Sequence, residues 1–420
     1  LCDQEYLSPN IKVILPSILI SRFNIEKNEL DYQFENCYIT EEEYNNFYME
    51  KYYDYEAPLT TIHSNTEGSA TYNALLFVPQ HASNDFYTKN FEKGLQLYAS
   101  GVLIMDKCGD LLPDHFAFVK GLVDSQDLSL NISREMLQHD RQLKLIATSL
   151  EKKIKSELLK LQRNDREKYE KLYETFGLNL KAGCHNDFGA HKELLQDLIM
   201  FYSSTERKLV TFSEYVERMK EGQTNIYYAC GRTPEQIDMM PQVELFTEKG
   251  YEVLYLMHDI DEFALKMMRE YKEKAFKSVA DSDIDLESAE EKEESTKRAE
   301  ANKSLLDFCT QALNGKVKEV KLSTRLKSHP VCISSDGPLS LEMERVLSAV
   351  PNSNVPKMGR ILEINANHEI FNTLTAMHIA DEAKASSLIS ILYNQALLIE
   401  GMPIEDPVAY SNAVCNLLSK

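Results

Sequence analysis

Arg134 and Gln138 are the side chains whose types and spacing offer a specific chemistry. They stand one helical turn apart in the segment Asn131-Ile-Ser-Arg-Glu-Met-Leu-Gln138, so a helix would carry both on one face. A guanidinium and an amide donor on one face can bind the same phosphate oxygen, and the free amides of a helix start favour the same anion. The simpler alternative, which the physics alone favours, is a surface arginine paired with Glu135 or Asp127.

The elements around this segment must position it. Residues 118–123 predict a buried strand, which is followed by a polar turn and then by a long helix over residues 134–163. The helix is indicated by apolar residues at three- and four-residue spacing: Leu143, Ile146, Leu150, Ile154, Leu158 and Leu161. A cation in the first turn of a helix costs roughly 0.3–1 kcal/mol. We therefore expect Arg134 to stand there for a functional reason or to be offset by Glu135.

Short polar side chains flank the helix start. Asn131 or Ser133 can cap the first free amides of the helix. Asp124 and Asp127 can order the preceding turn through local hydrogen bonds.

Composition and charge exclude several classes of protein. The chain has 420 residues, 43% of them hydrophobic, and a net charge of −20. This length predicts two or three domains, and the negative charge argues against nucleic acid as the main ligand. The 8 cysteines form no Cys-x-x-Cys pair, which favours reduced thiols and a cytoplasmic location. We identify no metal site and no self-contained catalytic motif, since the histidines lack ligand spacing.

The start of the chain gives two further expectations. The apolar run at residues 11–20 contains Lys12 and Pro16 and is far shorter than the roughly 20 residues of a membrane span, so we expect no membrane association. The chain begins at Leu1, without Met or a basic signal-peptide start. We expect it to be a fragment of a longer protein.

A compact unit with alternating strands and helices is predicted downstream. Thr211-Phe-Ser-Glu214 is a capping-box pattern, and Thr233-Pro234 places an N-cap before a proline at the first helical position. We expect one helix from there to Gly250, between buried strands at 226–230 and 251–257. This βαβ order predicts a small parallel sheet. No glycine-rich phosphate-binding loop accompanies it, so we interpret the unit as a scaffold.

The last part of the chain holds two candidate interaction surfaces. An amphipathic helix at 339–350 could offer Leu341, Met343 and Leu347 to apolar partners, or it could be an ordinary packed helix. Two final helices, at 384–400 and 406–418, carry generous apolar sets. These sets could form an internal core or a four-helix bundle between two chains, and the residues leave both open. The residues in question are Leu388, Leu392, Ala396, Val414, Leu417 and Leu418.

Long motifs in a fixed order resemble the heat shock protein 90 chaperones, and most closely the bacterial HtpG type. They extend over residues 39–420 and include Ala74-Leu-Leu-Phe-Val-Pro79, Val123-Asp-Ser125, Asn131-Ile-Ser-Arg-Glu-Met-Leu-Gln138, Arg218-Met-Lys-Glu-Gly-Gln223, Ile260-Asp-Glu-Phe263 and Leu362-Glu-Ile-Asn365.

The resemblance implies a multidomain α/β (α+β) fold. It implies a middle domain at 39–280, in which two α/β layers (39–165 and 205–280) are joined by a helical connector at 166–204. An acidic linker and helix start would occupy 281–300. A mixed α+β dimerisation domain at 301–420 would end in the helix pair. Residues 1–38 would be the tail of an N-terminal domain and a linker.

The resemblance also implies a function for the whole protein, an ATP-dependent molecular chaperone. In the family, residues matching Arg134, Gln138 and Asn131 form the loop that reaches the γ-phosphate of ATP, which is bound with Mg by the chain's own N-terminal ATPase domain. ATP and Mg would thus be cofactors of the full-length protein, while this fragment alone would bind neither and be inactive. Partners would be unfolded clients, bound through Leu341, Met343 and Leu347, and a second copy. The rival hypothesis is a non-enzymatic dimeric scaffold without a nucleotide cycle.

Overall fold

A computed structural model describes residues 23–24, 29–30, 39–128, 140–284, 286, 289–337, 339–350 and 359–419. The chain divides into two compact units, Leu1–Ile199 and Met200–Lys420. Both combine helices with mixed sheets, which confirms the predicted multidomain α+β class. The predicted domain boundaries differ from this division and stay predictions.

The first unit is built on a five-stranded sheet. Two short antiparallel strands, β1 (Phe23–Asn24) and β2 (Glu29–Leu30), and the helix α1 (Glu41–Tyr52) precede it. The strands of the sheet are β3 (Thr60–Thr66), β4 (Tyr72–Val78), β5 (Leu95–Ala99), β6 (Val102–Cys108) and β7 (Lys120–Ser125). Their spatial order is β3-β4-β7-β5-β6. Strand β7 is therefore central, antiparallel to β4 and parallel to β5.

Strands β5 and β6 form a hairpin that turns at Ser100 and Gly101. Both residues have positive φ, at 49° and 80°. Two consecutive residues with positive φ are typical of the tight turns that join antiparallel strands.

Three helices follow the five-stranded sheet in the described part of this unit's sequence. They are α2 (Arg141–Asn164), α3 (Arg166–Asn186) and α4 (Lys192–Leu195). Of the apolar residues that predicted α2, Leu143, Ile146, Leu150, Ile154 and Leu158 are buried, and Leu161 is half-buried. The three- and four-residue spacing thus identified the buried face of α2.

The second unit begins with a six-stranded sheet. Its strands are β8 (Met200–Ser203), β9 (Leu209–Thr211), β10 (Asn225–Cys230), β11 (Val253–Leu256), β12 (Glu270–Tyr271) and β13 (Lys274–Ser278). The helices between them are α5 (Phe212–Arg218), α6 (Pro234–Asp238), α7 (Pro241–Glu248) and α8 (Asp261–Met268). Strand β10 pairs parallel with both β11 and β13, which confirms the predicted parallel arrangement at the centre of the sheet.

Local capping patterns in this unit are confirmed with one correction. Thr211 and Glu214 form the predicted capping box, and Thr233 caps a helix that begins at Pro234. The prediction of a single helix up to Gly250 is wrong, because the helix is interrupted between α6 and α7. Pro241 begins the second helix, since proline lacks the amide and fits only the first turn.

The remainder of the second unit is a smaller mixed layer. Its helices are α9 (Ala289–Ala301), α10 (Lys303–Ala312), α11 (Leu341–Ser348), α12 (Glu369–Ala380), α13 (Glu382–Ile399) and α14 (Pro407–Leu418). Its strands are β14 (Glu319–Leu322), β15 (Val331–Asp336) and β16 (Gly359–Ile364), in the order β14-β16-β15. The acidic segment that was predicted to enter a charged helix does so in α9.

Candidate functional site

The end of strand β7 is held by hydrogen bonds to the start of β4. The Ser125 hydroxyl donates to the carbonyl oxygen of Thr71 at 2.7 Å, and the Asp127 carboxylate accepts from the Thr71 amide at 2.6 Å. The Asp127 amide in turn donates to the Ser125 hydroxyl at 3.2 Å. The Asp124 carboxylate accepts from a backbone amide of the β5–β6 turn at 3.0 Å. Asp124 and Asp127 thus both accept hydrogen bonds, but from Gly101 and Thr71, which are distant in the chain, and not through the local hydrogen bonds that the sequence suggested.

Helix α2 starts later than the sequence suggested. It begins at Arg141, and the Asp140 carboxylate caps it by accepting a backbone amide at 2.9 Å. The predicted start of this helix at Arg134 is therefore wrong, and the predicted caps Asn131 and Ser133 lie outside the described residues. An ionised carboxylate is a strong N-cap because it also interacts favourably with the positive end of the helix dipole.

The three predicted catalytic residues, Asn131, Arg134 and Gln138, lie outside the described residues. The structure describes the elements on either side of residues 129–139: strand β7 ends at Ser125, and helix α2, of 24 residues, begins at Arg141 with Asp140 as its cap.

Helix α11, the predicted client-binding helix, is packed into the second unit. Leu341 and Met343 are buried, and Leu347 is half-buried. The Ser340 hydroxyl caps the helix at the Met343 amide, at 3.0 Å, and also donates to the Glu262 carboxylate. The apolar face of α11 is thus sheltered here, and a role of its residues in client binding stays a prediction.

An arginine ties the exposed side of α11 to the preceding sheet. One Arg345 guanidinium nitrogen lies 2.9 Å from the Asp259 carboxylate, and the same side chain pairs with Glu342 at 2.5 Å within the helix. These contacts are partly exposed and contribute modestly to stability. They nevertheless define the orientation of the helix, since Arg345 bridges two elements.

The predicted dimer residues fall into two groups. Leu388, Leu392 and Ala396 on α13 are buried in the core of their own unit, so for them the interpretation as an internal core seam is supported. Helix α14 has no buried residue among those described, and Leu418 is 81% exposed. Val414 and Leu417 are half-buried. One chain therefore covers the apolar face of α13 but leaves much of α14 accessible.

Strand β16 and its central carboxylate were missed by the sequence reasoning. The Glu363 carboxylate is buried and binds the guanidinium of Arg325 through two hydrogen bonds, of 3.0 and 2.5 Å. Arg325 also donates to the backbone carbonyls of Val279 and Asp281, at 2.6 and 3.1 Å. A single acidic residue within the apolar run Ile361-Leu-Glu-Ile364 was the available indication, because a lone carboxylate in a buried strand needs a partner.

A second buried polar contact joins α7 to the end of α13. The Gln242 side chain is fully buried, and its amide nitrogen donates to the Ile333 carbonyl at 3.0 Å and to the Glu400 carboxylate. Burial raises the pKa of Glu400 to about 7, against the opposing effect of the Gln242 hydrogen bond. This carboxyl group therefore changes its charge near neutral pH.

The described residues contain neither a candidate metal site nor a candidate membrane-spanning helix. No group of three or more His, Cys, Asp or Glu side chains in the described ranges is arranged to hold a metal ion. None of the helices that the structure describes is both long and apolar enough to cross a membrane.

Comparison with known proteins identifies the family. The sequence model of the Hsp90 protein family matches residues 33–420. Because this match includes nearly all of the described residues of both units, the chain belongs to the Hsp90 family.

The similar curated proteins are of one kind within that family. The chain is 60% identical to the chaperone protein HtpG of Clostridium acetobutylicum, over 90% of this chain and 61% of that protein. It is 54% identical to HtpG of Clostridium botulinum and to HtpG of Bacillus subtilis, again over 90% of this chain. The chain spans about 60% of the length of these relatives.

Proposed function

We propose that this chain is the middle and C-terminal portion of an ATP-dependent molecular chaperone of the HtpG type. It would supply the loop that contacts the γ-phosphate, a surface for unfolded client proteins and the dimer interface. The observation that carries this proposal is the match to the Hsp90 family over residues 33–420, together with 54–60% identity to HtpG proteins. The ATP-binding domain, with its Mg ligands, would be N-terminal to Leu1.

Arg134 would act as the cation that meets the γ-phosphate, with Gln138 assisting and Asn131 shaping the loop. A guanidinium suits this role because it is always charged and can make two hydrogen bonds to phosphate oxygens. The hydrogen bonds of Asp127 and the cap formed by Asp140 support the proposal, since they limit the movement of the loop's flanks. Arginines that stabilise phosphoryl transfer contribute on the order of 10³–10⁵ in rate, which sets the upper limit of the expected effect.

The test of this role is Arg134→Ala in the full-length protein. We expect most ATP turnover to be lost while the affinity for ATP, measured by equilibrium binding, changes little. The matched control is Arg141→Ala, which removes an exposed arginine from the first residue of α2 and should retain turnover. Unchanged turnover in Arg134→Ala would refute the assignment. Loss of ATP binding in that variant would likewise contradict a role confined to the γ-phosphate.

Helix α14 would form the dimer interface. Its exposed Val408 and Leu418, 70% and 81% accessible, support this, because large apolar side chains exposed on one helix favour burial against a partner. In light scattering we expect the chain to have the mass of a dimer. The double variant Val414→Asp/Leu418→Asp should have the mass of a monomer, while the charge-matched control Asn412→Asp/Asn416→Asp, at two exposed positions of the same helix, should remain dimeric. A monomeric wild-type chain at micromolar concentration would exclude this interface.

Client proteins would contact Leu341, Met343 and Leu347. Leu347 is half-buried, whereas Leu341 and Met343 are buried, so Leu347→Asp tests the proposed client contact with the least damage to the core. We expect the variant to suppress the aggregation of a thermally unfolded reporter protein less effectively than wild type. If suppression is unchanged, the client surface lies elsewhere. A full-length protein that dimerises and holds clients without any ATP turnover would favour the non-enzymatic scaffold instead.

A further inference from the structure

A cavity of about 330 Å³ lies in the first unit, between helix α1 and the strands β5 to β7. Four lysines line it, although the whole chain has a net charge of −20. They are Lys51 on α1, Lys93 before β5, Lys107 on β6 and Lys120 on β7. A local concentration of cations on an acidic protein indicates a specific use for positive charge.

Two of these lysines are half-buried over aromatic rings. The Lys120 ammonium lies 5.4 Å from the ring centre of Tyr52 and 5.7 Å from that of Tyr48. The Lys51 ammonium lies 5.7 Å from the ring centre of Phe47. Burial lowers the pKa of both lysines. Among the described residues, neither ammonium has a carboxylate within 4 Å. Their charge is compensated by the rings and by more distant carboxylates, Asp106 for Lys51 and Asp54 and Asp85 for Lys120.

The other two lysines have ion-pair partners. Lys93 lies 2.5 Å from the Asp114 carboxylate, and Lys107 lies 4.0 Å from that of Glu92. We refer to the unpaired, half-buried Lys51 and Lys120 as the floor of the cavity, and to the paired Lys93 and Lys107 as its rim.

The hydroxyl of Tyr52 is a third group without a partner at this cavity. Its oxygen is buried and makes no hydrogen bond to any described residue. A buried phenol without a partner is unfavourable, because its hydroxyl has lost its hydrogen bonds to water. Burial also raises the pKa of Tyr52, so the group stays protonated and remains a donor. The flexible side chain of Lys120, over the Tyr52 ring, would need to shift slightly to admit an acceptor.

The carboxylates that line the cavity do not form ion pairs with Lys51 or Lys120. Asp85, Glu92 and Asp106 all line it but are exposed to solvent, where water and salt screen their charge. The Asp106 carboxylate is also engaged by the Gln96 side-chain amide at 2.6 Å. An anion that enters the floor therefore meets two ammonium groups that have no ion-pair partner among the described residues, although Asp106, Asp54 and Asp85 act on them at longer range.

The floor is rigid because α1 and β7 are both held in place. A Cβ added at Gly121, next to Lys120, would lie 2.3 Å from the Leu75 carbonyl oxygen, so only glycine allows β4 and β7 to approach this closely. Helix α1 packs on the same sheet through Phe47 and Tyr48, which share a core cluster with Leu75. The backbone positions of Lys51, Tyr52 and Lys120 are thus determined by packed elements on both sides.

We propose that this cavity binds an oxyanion, a carboxylate or phosphate group, between the Lys51 and Lys120 ammonium groups, with the Tyr52 hydroxyl as an additional donor. The three donors are all of the kinds that make charge-assisted hydrogen bonds to such groups. The volume exceeds that of the anion itself and falls within the usual range of ligand pockets, so it accommodates an oxyanion carried on a larger molecule.

Isothermal titration calorimetry on the 420-residue chain tests this proposal with two probes, inorganic phosphate and a short glutamate-rich peptide at equal ionic strength. We expect saturable binding of at least one of them, and which one binds identifies the source of the oxyanion. Lys120→Gln and Tyr52→Phe should each weaken binding by about tenfold, the effect of losing one charge-assisted hydrogen bond. The control Lys144→Gln removes an exposed lysine of α2 and should leave binding unchanged.

Two results would overturn the proposal. One is the absence of saturable binding of both probes to the wild-type chain. The other is equal weakening in the control and in Lys120→Gln, which would indicate attraction to surface charge in general. Tyr52→Phe removes a single oxygen and keeps the packing of the ring. If Lys120→Gln shows a lowered melting temperature, Tyr52→Phe alone decides, and unchanged binding in it refutes the role of the hydroxyl.

Discussion

The buried ion pair between Arg325 and Glu363 provides a test with a defined magnitude. Both side chains are almost completely inaccessible, and Glu363 also accepts hydrogen bonds from Ser334 and Ser323, at 2.8 and 2.9 Å. The perturbation is Glu363→Gln, which keeps the size of the side chain but removes its charge. The guanidinium of Arg325 is then buried without a counterion, and Lys321, 3.4 Å from the carboxylate, also loses its partner.

The expected cost can be worked out from the pKa of the carboxyl group. Burial opposes ionisation of Glu363, but the charge and hydrogen bonds of Arg325 outweigh it and lower the pKa from 4.5 to about 2. A difference of this size between the folded and unfolded states corresponds to about 3 kcal/mol of stability. It also agrees with the roughly 3–5 kcal/mol that results from breaking a buried pair.

The sign of the pH dependence follows from the same shift. Because folding lowers this pKa, the unfolded state binds the proton more readily, and the stabilisation is present above pH 4.5. It is lost progressively as the pH falls from 4.5 towards 2. In Glu363→Gln this acid-induced loss should be smaller than in the wild-type chain.

The assay is urea denaturation of the 420-residue chain at pH 7 and at pH 4, followed by far-UV circular dichroism. Glu319→Gln is the matched control, since Glu319 lies on the neighbouring strand β14 but is exposed. We expect the transition of the second unit to lose about 3 kcal/mol in Glu363→Gln and less than about 0.5 kcal/mol in the control.

The reasoning is wrong if Glu363→Gln unfolds at the same urea concentration as the wild-type chain. A second variant separates charge from packing: Arg325→Met/Glu363→Leu removes both charges and should recover much of the loss, because an apolar pair can replace a buried ion pair. If this double variant is less stable than Glu363→Gln, the hydrogen bonds of Arg325 to the Val279 and Asp281 carbonyls matter more than the ion pair.

Three further predictions concern the second unit. Glu400→Gln should stabilise the chain at pH 8 by at least about 1 kcal/mol in urea denaturation. The pKa of Glu400 is raised on folding, so the contribution of this residue to stability is present below pH 4.5 and is lost as the pH rises through about 7. An equal effect of the substitution at pH 5 would contradict this. Ser340→Ala should cost about 1–2 kcal/mol and speed hydrogen exchange in residues 341–348, and unchanged exchange there would show that the cap does not hold α11. Leu388→Ala should cost roughly 2–5 kcal/mol by calorimetry while leaving the dimer mass unchanged, whereas a changed mass with little loss of stability would place Leu388 at an interface.

Several features of this protein follow from short stretches of sequence. The capping box at Thr211 and the proline-started helix at Thr233 depend on hydrogen bonds between residues three positions apart, so the local sequence suffices to predict them. The buried face of α2 follows from helical periodicity in the same way. The sequence alone also predicted the family, because the motifs of the resemblance are long and occur in a fixed order.

Other features were decided only by the tertiary structure. The apolar residues of α13 and α14 looked equivalent in the sequence, and packing alone buries Leu388 while leaving Leu418 exposed. The start of α2 depended on which polar residue provides the cap, and several candidates stood close together. Arg325 and Glu363 are 38 residues apart, and Lys51 and Lys120 lie still further apart in the chain. Charges at such separations meet only through the register of strands and the docking of helices, and neither periodicity nor composition contains that information.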